Sequence, residues 1–239
     1  MKNIKSVLSI DMDYIMGPTI ELYNQLVGTQ DFLEYSPDDF WGKLYEFMDM
    51  EKFLSYDSEA LLFLVKVFSK AVSEIPKENI YFAEEHDAIL TFLCGDTAKV
   101  SEKYEVYNID HHHDLYYNPG QRADIDRFDF ACSANWAYYL GKNEKIEEYH
   151  WLGNDKSQRF AAEEILSLYF PVDSEIKRED IEKVDFDYVF VCLSKKYYPP
   201  KFDQFFYMLK FIAEGVKGAE FTIDREEYCK DGKTRHPEK

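Results

Sequence analysis

Three short stretches of the chain concentrate side chains that bind cations. Ser9-Ile10-Asp11-Met12-Asp13 closes an apolar run near the N-terminus, Glu84-Glu85-His86-Asp87 closes a second, and Asp110-His111-His112-His113-Asp114 closes a third. Taken singly, each has a plain explanation: a capping aspartate, a surface turn, or a histidine tract that picks up metal adventitiously. Taken together they do not, because carboxylates and imidazoles gathered at one place repel one another unless a cation lies among them. Along an extended chain residues i, i+2 and i+4 share a face, so Asp110, His112 and Asp114 are expected to point one way and His111 and His113 the other. Asp11 and Asp13 are expected to share a face in the same manner. Two residues of strand cover about 6.6 Å, too far for one ion to collect a straight row of ligands. Two ions about 3.5–4 Å apart suit that spacing where a strand bends into its loop.

A sheet is what could bring three such stretches together. Four apolar runs read as buried strands: Ile4 to Ile10, Asn79 to Ala83, Tyr104 to Ile109 and Tyr188 to Leu193. Longer stretches with apolar residues at helical spacing alternate with them. Examples are Ala60 to Ala71, within a long segment from Thr19 to Glu74, and Asn135 to Leu140, Lys156 to Tyr169 and Phe202 to Glu214. Gly17-Pro18, Asn118-Pro119-Gly120 and Pro199-Pro200 punctuate the pattern as turns. Such alternation predicts a three-layer α/β/α fold on a mainly parallel sheet. In an open sheet of that kind ligands bind at the carboxyl ends of the strands, which is where all three polar stretches fall. With no repeats and no low-complexity linker, residues 1–223 are expected to form one domain. Residues 224–239, charged and poor in apolar side chains, are expected to be a frayed tail.

Composition narrows the function classes. A net charge of −18 argues against nucleic acid as a partner, since binding a polyanion depends on Lys and Arg. The acidic balance suits solubility, and more weakly a cationic ligand. No window reaches the roughly 18–20 uncharged apolar residues of a bilayer span, and Asp11 and Asp13 interrupt the N-terminal apolar run. A cytoplasmic protein with no membrane partner is the expectation. Cys94, Cys132, Cys192 and Cys229 are scattered without a Cys-x-x-Cys spacing, so reduced thiols are expected rather than a disulfide framework or a zinc ribbon.

The Asp-x-His-x-Asp of Asp110 to Asp114 resembles the second metal motif of arginases and related ureohydrolases, and His86 sits where their first ligand histidine would. Ser9 to Asp13 is similar to their third motif, Ser-x-Asp-x-Asp, but here it begins the chain, which implies a circularly permuted, arginase-like fold. SIDMDY, EEHDAIL, NIDHHHDL and Ser133-Ala134-Asn135-Trp136 together look most like the divergent branch that includes peptide arginases. Those enzymes convert arginine side chains in ribosomally made peptides to ornithine.

Carried over residue by residue, the resemblance implies one ion on His86, Asp110, Asp114 and Asp11, and another on Asp110, His112, Asp11 and Asp13. Asp110 and Asp11 would bridge. Four carboxylates with two imidazoles make an oxygen-rich site that fits two manganese ions better than zinc. Asp114 would orient the attacking water. Candidate proton donors to the leaving amine are His113 and His150, and His111 is near in sequence. Glu84, Glu85, Asn135 and Trp136 are candidates to line a substrate site, with core packing an open alternative for the tryptophan and ligand support for the glutamates. Two departures stand out. Classical ureohydrolases are longer, and they place a glutamate on a late strand to pair with the guanidinium, whereas here Val189 to Ser194 ends without an acid. An arginine-containing peptide is therefore the expected substrate, with an amidohydrolase or deacetylase on the same scaffold, or a non-catalytic metal-binding protein, as alternatives.

Overall fold

Each of the four apolar runs is a strand of one sheet. The computed structural model describes residues 4–16, 41–42, 45, 54–95, 101–115, 131–157, 170–195 and 197–225. Its strands are β1 (Ile4–Asp11), β2 (Ile80–Ala83), β3 (Lys103–Ile109), β4 (Ile146–Leu152), β5 (Val172–Asp173), β6 (Tyr188–Cys192) and β7 (Ile223–Asp224). They stand in the order β5-β4-β3-β1-β6-β2-β7, and every adjacent pair is parallel. The helices are α1 (Ser58–Glu74), α2 (Ala88–Cys94), α3 (Trp136–Lys142), α4 (Arg178–Ile181) and α5 (Asp203–Lys217).

A parallel strand covered on both faces needs apolar residues at successive positions, and β6 has all five residues buried. Alternation then divides them between two cores. Val189 and Val191 join Leu8, Ile10 and Phe82 on one face, while Tyr188, Phe190 and Cys192 join Val7 and Ala83 on the other. The first face is closed by α1 and α5, through Phe63, Leu64, Val67, Phe68 and Ala71 of α1 and Phe206, Leu209 and Ala213 of α5. The second is closed by α2 and α3, through Ile89, Phe92, Trp136 and Leu140. Three layers with an all-parallel sheet result, as the alternating pattern implies. Helix α1 starts where Asp57 accepts the amides of Glu59 (2.8 Å) and Ala60 (3.1 Å), and its stripe of apolar residues every three or four positions faces the sheet. Burying one such side chain contributes roughly 1.5–3 kcal/mol.

Register sets where the strands stop. Ile10 pairs with Ile109, Asp11 with Cys192, and Cys192 with Ala83, so β3, β1, β6 and β2 finish nearly level. The segments that follow three of them carry the cation-binding side chains.

Three strands fall outside the four apolar runs. In β4, IEEYHWL, Glu147 and Glu148 interrupt the apolar sequence, while β5 and β7 are two residues each, too short for any pattern to register. Strand β7 pairs with β2 and carries the sheet to Asp224, one residue into the span expected as a tail. The expected helix Lys156 to Tyr169 lies outside the described residues beyond Ser157. So do Gly17-Pro18, Asn118-Pro119-Gly120, the tail beyond Arg225, and the expected segment from Thr19 to Glu74 up to Phe53, except for residues 41, 42 and 45. No helix among the described residues is long and apolar enough to cross a membrane.

Candidate metal centre

Strand β1 ends on Asp11, whose Oδ1 accepts the amide of Asp13 at 3.1 Å and caps the 3-10 turn Met12–Ile15. Asp13 thus sits on a turn and not on the continuing strand that the spacing alone suggests. Strand β3 likewise ends at Ile109, and the next five residues turn: Asp110 Oδ1 accepts the amide of His112 at 2.7 Å, and Asp114 adopts φ 52°. Aspartate tolerates that left-handed backbone better than most residues. Asp110, His112 and Asp114 do point inward together, but the turn brings them there, not strand alternation.

All six expected ligands assemble. Nδ1 of His86 lies 3.1 Å from Asp11 Oδ2, 3.4 Å from Asp110 Oδ2 and 2.9 Å from Asp114 Oδ2. Nδ1 of His112 lies 2.9 Å from Asp13 Oδ2 and 3.9 Å from Asp110 Oδ1. Asp110 turns one oxygen toward each imidazole. His86 Nδ1 and Asp13 Oδ2 are buried without a well-formed hydrogen bond. Two buried polar atoms aimed into a ring of carboxylate oxygens, and not hydrogen-bonded to them, fit a cation-binding role. The donor atoms of His86, Asp110 and Asp114, and those of Asp13, Asp110 and His112, lie within 4.8 Å of one another, so these groups could hold metal ions. Cys192 adds a sulfur to a third such group with Asp11 and His86.

Four of the six are held from behind. Ser9 Oγ sits 2.8 Å from His86 Nε2 and orients the ring; with a cation on Nδ1 the ring proton would sit on Nε2. Phe190 stacks on the same ring, with centroids 5.6 Å apart. Asn108 Nδ2 donates to Asp110 Oδ2 (3.2 Å), Trp136 Nε1 donates to Asp114 Oδ2 (2.6 Å), and the His111 amide donates to Asp13 Oδ1 (3.1 Å).

Charge crowding shows in the proton affinities. Burial, then the charges of Asp114 and Asp11, push Asp110 up to about 7. Burial and Asp13 raise Asp11, with His86 opposing. For His86 burial opposes the charge, but Asp114 and the contacts with Asp11 and Asp110 win, so it is held well above the usual imidazole range. His112, whose ring reaches solvent, is pushed up to about 10 because Asp13 outweighs its burial. Protons alone would thus have to balance this cluster, a task divalent cations do better.

The remaining candidates are placed less centrally. His113 accepts the Leu115 amide on Nδ1 (3.1 Å), and burial, then the charge of His112, push it down to about 4, so it stays neutral at physiological pH. His111 faces Asn154 (3.2 Å) and is lowered by burial and then by His112. His150 stacks on Tyr107 and contacts Glu105, away from the ligands. Glu84 is neutralised by Lys195 at 2.8 Å, with Arg225 at 3.5 Å. Asn135 is buried and accepts the Cys132 amide, and Trp136 supports Asp114 in place of lining a channel. Glu85 takes a hydrogen bond from Ser133 Oγ at 3.3 Å.

One residue escaped the sequence reading. Tyr197 follows β6, its ring 5.1 Å from that of His112, and its phenol is raised by burial and then by the charges of Glu85 and Asp114. It therefore lies beside His112 and within electrostatic reach of Glu85 and Asp114. No motif marks it.

Protein-family models, curated proteins and solved structures were all compared with the chain, and none matches. Function must therefore follow from the residues themselves.

Proposed function

We propose that the chain is a binuclear manganese hydrolase of C–N bonds that converts arginine side chains of a peptide to ornithine and urea. The observation that carries this reading is the divided use of Asp110, one oxygen toward His86 and the other toward His112, as a carboxylate shared between two ions requires. One ion would be held by His86, Asp110, Asp114 and Asp11, the other by Asp110, His112, Asp11 and Asp13. Oxygen-rich ligands favour manganese. When bound, the pair supplies a water acidified enough to act as a nucleophile at neutral pH.

The chain's own residues then have defined tasks. Asp114, fixed by Trp136, accepts a hydrogen bond from the water and aims it. Glu85 supplies the carboxylate that a guanidinium needs, a role left open because Leu193 and Ser194, not an acid, follow β6. Burying that cation unpaired would cost several kcal/mol. Tyr197, whose ring is 5.1 Å from that of His112, would donate its phenol O–H to the reacting group. Addition of water to the guanidinium carbon and cleavage of its bond to Nε release urea, with one proton passing to the departing amine.

A second reading, an amidohydrolase acting on acylated amines, is favoured by the same neutral end of β6 followed by Tyr197. One experiment separates the two. The manganese-loaded protein is incubated with an arginine-containing leader–core peptide and, in parallel, with an acetyl-lysine peptide. Urea and a mass loss corresponding to ornithine support the first, acetate release supports the second, and turnover of neither across a peptide panel removes both.

A further inference from the structure

A second cluster lies on the other core face, at the β3–β4–β5 edge. Register puts Glu105 of β3 directly beside Glu148 of β4, and Tyr107, His150 and Asp173 side by side across β3, β4 and β5. All five side chains share one face, since 105 and 107, and 148 and 150, are two residues apart. Like charges directly opposite on neighbouring strands destabilise a sheet. Yet among the described residues none of these three carboxylates pairs with Lys or Arg.

His150 is the second observation. Its residue is 8% exposed, and its Nδ1 is buried without a hydrogen-bond partner. The ring lies flat on Tyr107, with centroids 4.4 Å apart and planes at 17°, so its direction is fixed. Nε2 faces Glu105 Oε1 at 3.2 Å and Glu148 Oε1 at 3.9 Å, and Nδ1 faces Asp173 Oδ2 at 3.5 Å. The donor atoms of Glu105, Glu148 and His150 lie within 4.8 Å of one another.

A neutral imidazole has one donor and one acceptor nitrogen, but here carboxylates face both. If the proton is on Nε2, the lone pair of Nδ1 points at Asp173. If it is on Nδ1, Asp173 is satisfied and the lone pair of Nε2 points between two anions. Either a second proton on the imidazole or a metal cation on Nε2, shared with Glu105 and Glu148, resolves the conflict. With the metal, Nδ1–H turns to Asp173, the carboxylate–histidine–metal relationship that fixes ligand tautomers.

We infer that Glu105, Glu148 and the Nε2 of His150 form a second, separate site for a divalent transition-metal ion, with Asp173 orienting the imidazole. Tyr107 O–H, which donates to Glu105 Oε1 at 2.6 Å, holds that carboxylate in place. Imidazole nitrogen and carboxylate oxygen are donors that zinc accepts, so Zn²⁺ serves as the probe ion. Because its parts come from three strands, the ion ties the two-residue edge strand β5 to the sheet.

The test is zinc stoichiometry on the folded full chain, by calorimetric titration with Zn²⁺ and elemental analysis after desalting. The wild type is expected to bind one zinc more than Glu105→Gln/Glu148→Gln, whose amides cannot replace two anionic ligands. An Asp13→Asn variant, which impairs only the centre at the strand ends, is expected to keep the zinc that the double variant loses. Equal stoichiometry in wild type and double variant overturns the site, leaving a protonated His150 alone to balance the carboxylates. If the wild type binds a zinc that only the double variant loses, and a parallel Mn²⁺ titration shows no manganese bound, this site stands and the proposed binuclear centre fails.

Discussion

Two carboxylate–imidazole clusters share this sheet, and they differ in how they are held. At the carboxyl ends of β1, β2 and β3, Asp11, Asp13, His86, Asp110 and Asp114 are all buried, and His86, Asp13, Asp110 and Asp114 each have a supporting hydrogen bond. On the β3–β5 edge, Glu105, Glu148 and Asp173 have side chains 30%, 47% and 41% exposed, and Tyr107 is the main support. Buried charges must be compensated, and burial with support fixes geometry to the tolerance that chemistry needs. Exposed charges are screened by water and hold a cation more loosely. Under the two proposals the first cluster would serve as a reaction centre and the second as a clamp.

The largest expected effect breaks the first cluster at its shared ligand. Asp110→Asn keeps the shape of the side chain and removes the charge that both imidazoles face, so urea release should fall to background and manganese content should drop with it. An Asp110→Asn protein that retains full turnover ends the two-ion reading. Tyr197→Phe sharpens the point, because it deletes only a hydroxyl. If the phenol donates to the reacting group, kcat falls by on the order of 10²-fold, as for loss of a single oxyanion donor, while manganese content is unchanged. A merely structural Tyr197 would leave kcat alone or lower both.

The supports come next. Trp136→Phe removes the donor to Asp114 with the ring volume largely retained, and Ser9→Ala frees the far nitrogen of His86. Loss of such partners typically costs roughly 10–100-fold in metal affinity. Both should therefore shift a manganese titration of activity to higher concentration, with kcat at saturation recovering for Ser9→Ala. Wild-type affinity in either variant means the back hydrogen bonds do not organise the site.

How much of this was legible beforehand depended on the kind of signal. β1, β2, β3 and β6 announce themselves because parallel strands buried on both faces are continuously apolar, and the six candidate ligands were readable because acids and histidines end those runs. β4 was not, since its Glu147 and Glu148 mark an edge region where charges reach water. The same strand hid the second cluster: Glu105, Glu148, His150 and Asp173 are far apart in the chain and meet only through the registers of β3 with β4 and β4 with β5. Asp13 and Asp114 do turn inward, but their direction comes from a 3-10 turn and a left-handed residue, not from strand alternation. Tyr197 carries no local pattern, and the sheet order that brings β6 beside β1 is what places it over the ligands.

Removing metal separates the clusters by stability. At about 100 times Kd a bound ion contributes about 2.7 kcal/mol, and for a chain of this size each kcal/mol moves Tm by roughly 2–4 °C. Chelation should therefore lower Tm by roughly 5–11 °C per saturated site, and re-addition of Mn²⁺ should restore the share that belongs to the strand-end centre. A chelator-insensitive Tm together with full activity would exclude metal from both.

The smallest expected effect follows from exposure alone. Raising ionic strength from 0.1 to 1 M shortens the screening length from about 10 Å to about 3 Å. Zinc held by Glu105 and Glu148, whose carboxylates reach water, should bind more weakly in high salt. Ions at Asp11, Asp13, Asp110 and Asp114, buried below the strand ends, should show little change, because few mobile counterions approach them. Measured side by side, equal salt sensitivity at the two sites would mean that support and burial do not distinguish them, and the division into reaction centre and clamp would have to be abandoned.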